Sequence, residues 1–169
     1  LPHREKETRA LMPFNFDVIG KPTEALEYRY DWKDTVLYAL GIGARADELD
    51  YLYEGRGPKV YPSFAVIASH NALAMALAST NGPFEKVVHG AQKVIVHNTI
   101  PSAATVKTTA TVEGIYDLRR MAQAVVKTHT VDAQSGTALF DTEWSILYLG
   151  EGGFGGEMRQ QDEKTAAPS

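Results

Sequence analysis

FAVIASHNALAMALAST, residues Phe64–Thr80, decides how the chain folds. It is apolar, rich in alanine and free of charge. From about Ser69 it reads as a largely buried helix, stopped by Asn81-Gly82-Pro83. A helix without a charged face must be covered on most sides. The cover follows directly: Lys86–Asn98, Thr105–Asp117, Arg120–Val131 and Ala138–Leu149 are rich in Val, Thr and Ile. The short links TIPSAA, DLRR and DAQSGT imply antiparallel neighbours. In the last segment Ala138, Phe140, Thr142, Trp144, Ile146 and Tyr148 share one face. Asp141, Glu143 and Ser145 share the other, diluted by Leu139, Leu147 and Leu149. Helix first and long antiparallel strands after is an α+β pattern, a helix laid against a curved sheet.

Upstream, YDWKDTVLYALGIGA (Tyr30–Ala44) is a second helix. Asp31 is its expected N-cap, with Asp34 at the capping-box position, and Gly41 and Gly43 end it. The stretch from Ala44 to Ser63 is loop-rich, broken by Gly55, Gly57, Pro58 and Pro62. Residues 1–11 read as a flexible extension and residues 157–169 as a linker or tail, leaving one domain over 12–156.

Composition narrows the function. The chain has 169 residues, 44% hydrophobic and 22% charged, with net charge −4. No basic run marks a nucleic-acid partner, and no apolar run is long enough for a bilayer. There is no cysteine, so thiol nucleophiles and Cys-ligated zinc are excluded. The histidines His70, His89, His97 and His129 show no metal-ligand spacing, and no metal or cofactor is expected. No G-x-S-x-G elbow is present, so no catalytic residue is assigned. Gly150–Gly155 fits G-x-G-x-x-G, but only 14 polar residues follow it. A dinucleotide site needs a helix and a second strand there, so the match is positional accident. Its glycines suit either a flexible exit from the last strand or a close approach of the backbone to a ligand or a neighbouring domain.

Five segments in order carry a resemblance: YALGIGA (Tyr38–Ala44), LYEG (Leu52–Gly55), YPSFAVI (Tyr61–Ile67), VVHGAQ (Val87–Gln92) and GEGGFGG (Gly150–Gly156). Together they resemble the N-terminal half of the hydratase 2 family, the (R)-specific enoyl-CoA hydratases, related to MaoC-like dehydratases. The resemblance implies a single hot-dog fold, an antiparallel sheet wrapped round a central helix. It implies a domain that holds the acyl chain of an enoyl-CoA or 3-hydroxyacyl-CoA, while a second hot dog supplies catalytic Asp and His. The Gly-Asp-x-Asn-Pro-x-His type motif carrying those residues is absent here; the sequence has no Gly-Asp and no Asn-Pro. The resemblance therefore points to Phe64, Ile67, His89, Gly90, Gln92, Gly153 and Phe154 as substrate-binding or pocket-shaping residues. It implies a homodimer, or a heterodimer with a catalytic MaoC-like hot dog. Two departures stand out: Ala91 replaces a usual Glu, and Leu118-Arg119 replace hairpin glycines in Tyr116–Ala122. Without glycine the hairpin is expected to avoid positive φ. Two other readings remain: a homodimeric thioesterase-like hot dog, and a purely structural subunit. The tripeptide Ala167-Pro168-Ser169 favours the cytoplasm, or the peroxisome if the chain is part of a larger eukaryotic enzyme.

Overall fold

The computed structural model describes residues 14–158. The stretches read as extension (1–11) and most of the tail (159–169) lie outside the described residues. Within them run β1 (Leu26–Tyr30), α1 (Trp32–Gly41), α2 (Leu49–Leu52), α3 (Ala65–Ser79), β2 (Val87–Val96), β3 (Ala104–Asp117), β4 (Met121–Asp132) and β5 (Ala138–Leu149). The five strands form one antiparallel sheet in the order β1-β3-β4-β5-β2. Helix α3 packs chiefly on β3, β4 and β5. This is the hot-dog arrangement, with α3 as the filling.

Why α3 can be wrapped so closely is legible in its side chains. Ala65, Ala68, Ala72 and Ala76 are all buried, together with Ser69, Leu73 and Leu77. A methyl stripe lets the sheet approach the helix axis, while Leu73 and Leu77 each contribute roughly 1.5–3 kcal/mol of burial. Ser69 does not waste its hydroxyl: it donates to the Ala65 carbonyl at 2.8 Å. The helix begins at Ala65, four residues before the expected Ser69, as a continuation of a 3₁₀ turn over Pro62–Phe64. Pro62 presets the first-turn φ, and burial of Ala65 and Ala68 outweighs the weak propensity of Val66 and Ile67. At the other end Asn81 turns left-handed at φ 58.

The capping box of α1 is present: the Lys33 amide donates to Asp31 Oδ1 at 2.7 Å, and the Asp31 amide donates to Asp34 Oδ2 at 2.8 Å. Strand β1 was not expected. Its alternation is short, Leu26, Tyr28 and Tyr30 inward with Glu27 and Arg29 outward, and its pairing with Ala104–Thr108 of β3 is entirely non-local.

The β3–β4 hairpin departs from expectation too. Arg119 adopts φ 70, although its side chain disfavours that conformation. A buried carboxylate imposes it. Asp117 accepts the Arg119 amide at 2.8 Å, and the Leu118 amide closes the turn onto the Met121 carbonyl at 2.9 Å. The same carboxylate accepts the amides of Gly153 at 2.9 Å and Gly155 at 2.8 Å. The glycine-rich exit is therefore strapped to the hairpin rather than loose. Gly152 lies so close that a Cβ there would fall 2.6 Å from the Met121 nitrogen and 2.7 Å from the Arg119 carbonyl. A close backbone approach does require the glycine, and what it approaches is the chain's own hairpin.

Candidate functional site

The core divides into two clusters, and the seven residues singled out from sequence divide with them. One cluster gathers Phe64, Tyr30, Ala65, Ala68, Ile100, Val106, Leu139 and Phe140. Phe64 is 1% exposed and meets Tyr30 at 5.0 Å and Tyr38 at 5.5 Å, both edge-on. Tyr30 is buried here with its hydroxyl unpartnered. Burial, reinforced by Asp132 and then Tyr28, pushes its pKa up to about 12. Val94 of β2 borders this cluster from the edge strand.

Next to it lies the inner face of β2. A β-bulge between His89 and Ala91 makes Gly90 the extra residue. A Cβ on Gly90 would sit 3.1 Å from Leu147 and 3.2 Å from the Ser145 carbonyl, so the bulge holds it tightly. The bulge resets the side-chain phase, and His89 and Gln92 both face inward, opposite Ile146 and Trp144. The exposed His89 ring tilts over Trp144 at 5.3 Å, and the exposed His70 of α3 approaches the same indole edge-on at 6.5 Å. Trp144 donates its Nε1–H to Thr142 at 2.7 Å, within a Ser69–Thr142–Thr128 hydroxyl network. Both polar atoms of the Gln92 amide are buried without a partner. Ile67, one helical turn before His70, lies exposed on α3. His89, Gly90 and Gln92 thus lie together on the edge strand, Val94 of the same strand borders the buried Phe64 cluster, and Ile67 is exposed on α3. Sequence reasoning singled out none of Trp144, Tyr30 and His70; Trp144 registered only as an inward member of an alternating strand.

Gly153 and Phe154 stand elsewhere. Phe154 packs on Phe14 and Phe16, each at 5.8 Å, in the cluster that includes Tyr148. Phe16, Ile19, Tyr116 and Gly155 line a cleft of about 440 Å³ beside it. The carboxyl that strapped this segment is held below the usual carboxylate range, first by the Gly153 amide, against the cost of burial, and then by the amides of Arg119, Gly155 and Gly156.

The strongest titratable constellation is on the opposite sheet face. Asp141 points outward from β5 and is bridged by His97 Nε2 at 2.8 Å and His129 Nδ1 at 2.6 Å. Against partial burial, those two hydrogen bonds hold the Asp141 carboxyl below its ordinary range. His129 and Asp141 line a groove of about 330 Å³ with Lys93, Lys127 and Glu143. Alternation along β5 sends Asp141 away from α3. Among the described residues no group of three or more His, Asp or Glu is arranged to hold a metal ion. No helix there is long and apolar enough to cross a membrane.

The fold is the hot dog of the MaoC-like dehydratases. At 20% identity and a TM-score of 0.71, the chain superposes over 91% of its length on a MaoC-like dehydratase from Phytophthora capsici, covering 56% of that chain. It also superposes, with a TM-score of 0.60 and 8% identity, on a chain of the C-terminally truncated HadBC (3R-hydroxyacyl-ACP dehydratase) complex of Mycobacterium tuberculosis. That match covers 73% of this chain and 96% of that one. The chain belongs to the family of the MFE-2 hydratase 2 N-terminal domain, matched over residues 28–150. It is 32% identical to 3-hydroxyacyl-thioester dehydratase Y of Mycobacterium tuberculosis, over 89% of this chain and 52% of the relative. It is 28% identical to the peroxisomal multifunctional enzyme type 2 of Mus musculus, over 88% of this chain and 21% of the relative. The chain spans about half the length of the first of these and of a 26% identical probable enoyl-CoA hydratase 2 from Dictyostelium discoideum, of which it covers 53%.

Proposed function

We propose that this chain is the acyl-binding hot dog of a (3R)-hydroxyacyl-thioester dehydratase, or enoyl-CoA hydratase 2, whose catalytic Asp and His reside on a second hot dog. The observation that carries it is the open flank of α3. Ile67 and Met75 on α3, and Val96 on the inner face of the ten-residue edge strand β2, are all at least 36% exposed, and Val88 and Ile95 are equally exposed on that strand's outer face. Monomeric proteins rarely leave a long edge strand and an apolar helix face uncovered side by side. A second hot dog laid against this flank closes both and completes a chamber over His89, Gln92 and Trp144. The apolar wall for the acyl chain is the Phe64 cluster with Ile67; Gly153 and Phe154 shape a second wall at the hairpin end, beside the segment that leads away.

The chemistry follows from thioester reactivity. Hydration adds water across the double bond next to the carbonyl, so the partner must supply a base for the water and an acid for the α-carbon, with a hydrogen-bond donor on the thioester oxygen. The one Asp–His arrangement among the described residues faces the other side of the sheet, so this chain's part is binding and orientation. The test is hydration of trans-2-decenoyl-CoA, measured by loss of enoyl absorbance. The chain alone is expected to bind the acyl-CoA without turning it over, and to support turnover when combined with a hot dog carrying the Asp/His motif. Turnover by the chain alone would overturn the division of labour. Absence of acyl-CoA binding in both settings would overturn the function. Sedimentation of the chain as a monomer, both alone and mixed with a catalytic hot dog at micromolar concentration, would remove the case for a covered flank.

A further inference from the structure

We propose that the Gln92 side chain reads the two secondary amides of the substrate's pantetheine arm, the group shared by coenzyme A and acyl carrier proteins. This rests on the acyl-thioester reading above. Among the described residues, three buried side-chain polar atoms have no hydrogen-bond partner; two of them are Gln92 Nε2 and Oε1. A buried donor and a buried acceptor on one side chain, both unsatisfied, are costly and rare in native folds. Sheet neighbours do not explain them. Across the sheet stands Trp144, whose only polar group is already donated to Thr142.

Position says what is missing. The inward side chains of β2 run from Val94, in the Phe64 cluster, to Gln92, to the exposed His89. Two residues of strand advance about 6.8 Å. A thioester whose acyl chain enters the Phe64 cluster therefore sends its carrier arm past Gln92 and out beside His89 and His70, which flank Trp144. The first polar group along that arm beyond the sulfur is an amide, and a second amide follows two methylenes later. A donor from one and an acceptor from the other meet Oε1 and Nε2 together. An anion fits less well: it satisfies Nε2 alone and leaves Oε1 facing like charge. The bulge at Gly90 is what brings His89 and Gln92 onto one face, so it is part of the same device.

The experiment compares equilibrium binding of three decenoyl thioesters: the CoA ester, the N-acetylcysteamine ester, which keeps one amide, and the 2-hydroxyethyl ester, which has none. Wild type and Gln92→Met are measured, with thermal unfolding of each. Gln92→Met keeps the volume and removes the orphaned atoms, so its melting temperature should be equal or higher. It should bind the CoA ester about tenfold more weakly, about 1.4 kcal/mol, the one-amide ester with a smaller loss, and the 2-hydroxyethyl ester unchanged. Equal loss for all three esters overturns the amide assignment while leaving acyl binding intact. A clearly lower melting temperature overturns it by showing an internal partner, such as a fixed water. Loss of association with the catalytic hot dog, with ester selectivity unchanged, overturns it in favour of a partner contact. No binding of any ester by wild type refutes the proposed function itself.

Discussion

Truncating Phe64 is the sharpest probe of the division between packing and binding. In the unliganded chain the ring is 1% exposed and is held edge-on by Tyr30 and Tyr38. Phe64→Ala leaves a cavity between α3 and the sheet, which costs about 3–5 kcal/mol at such sites. The two ring contacts account for part of that, at roughly 0.5–1.5 kcal/mol each. A domain of this size loses about 2–4 °C of melting temperature per kcal/mol, so the variant should melt roughly 10–15 °C lower. Phe64→Leu refills most of the space and should cost under about 1.5 kcal/mol. Urea unfolding followed by circular dichroism gives the free energies, and decenoyl-CoA titration of Phe64→Leu gives the affinity. Because the ring fills its own cluster, an acyl chain must displace it. Phe64→Leu is therefore expected to bind the longer acyl chains at least as tightly as wild type. A loss below about 1 kcal/mol in Phe64→Ala would refute the packing described for this residue. A large loss of affinity in Phe64→Leu would mean the ring contacts the ligand instead of yielding to it.

Other outcomes follow from single residues. Arg119→Gly relieves a left-handed residue, worth roughly 1–2 kcal/mol, against roughly 0.5–1 kcal/mol of glycine entropy, so thermal melts should rise by about 2 °C. Gly152→Ala should lower the melting temperature and expose the exit segment to protease, because the added methyl meets hairpin backbone. The Asp117 pKa is lowered in the fold, so its contribution is full above the unfolded value near 3.8 and fades as pH falls through the lower native value. Asp117→Asn should therefore be less stable than wild type at pH 6, with the gap closing below pH of about 4 in acid titrations. Tyr30 has the opposite sign: its raised pKa gives stability that is lost as pH climbs from about 10 through about 12. Tyr30→Phe should flatten the alkaline limb of a stability–pH profile and, by removing an unpartnered hydroxyl, should not destabilise at pH 7.

Much of this architecture is legible in the sequence because its signals are local. The alternation of Phe140, Thr142, Trp144 and Ile146 reports a half-buried strand, and Asp31 with Asp34 reports a helix start. What escapes is non-local. Strand β1 has five residues and exists by pairing with β3, some eighty residues on. Arg119 is left-handed because a carboxylate two residues earlier also binds amides from beyond β5. Among the site residues, pattern cannot tell that Phe154 leans on Phe14 and Phe16 while Phe64 leans on Tyr30. It also cannot see that the Asp141–His97–His129 bridge forms, since its members come from β4, β5 and the residue after β2.

The bulge at Gly90 has a consequence for how this molecule avoids unwanted company. An incoming strand that adds to β2 along Ala91–Val96 arrives out of phase with Val87–His89, because the extra residue shifts the ladder between them. A featureless extended segment can satisfy one stretch or the other but not both. The edge therefore acts as a keyed lock: it admits a strand bearing a matching irregularity and rejects the indiscriminate stacking by which long open edges seed aggregates.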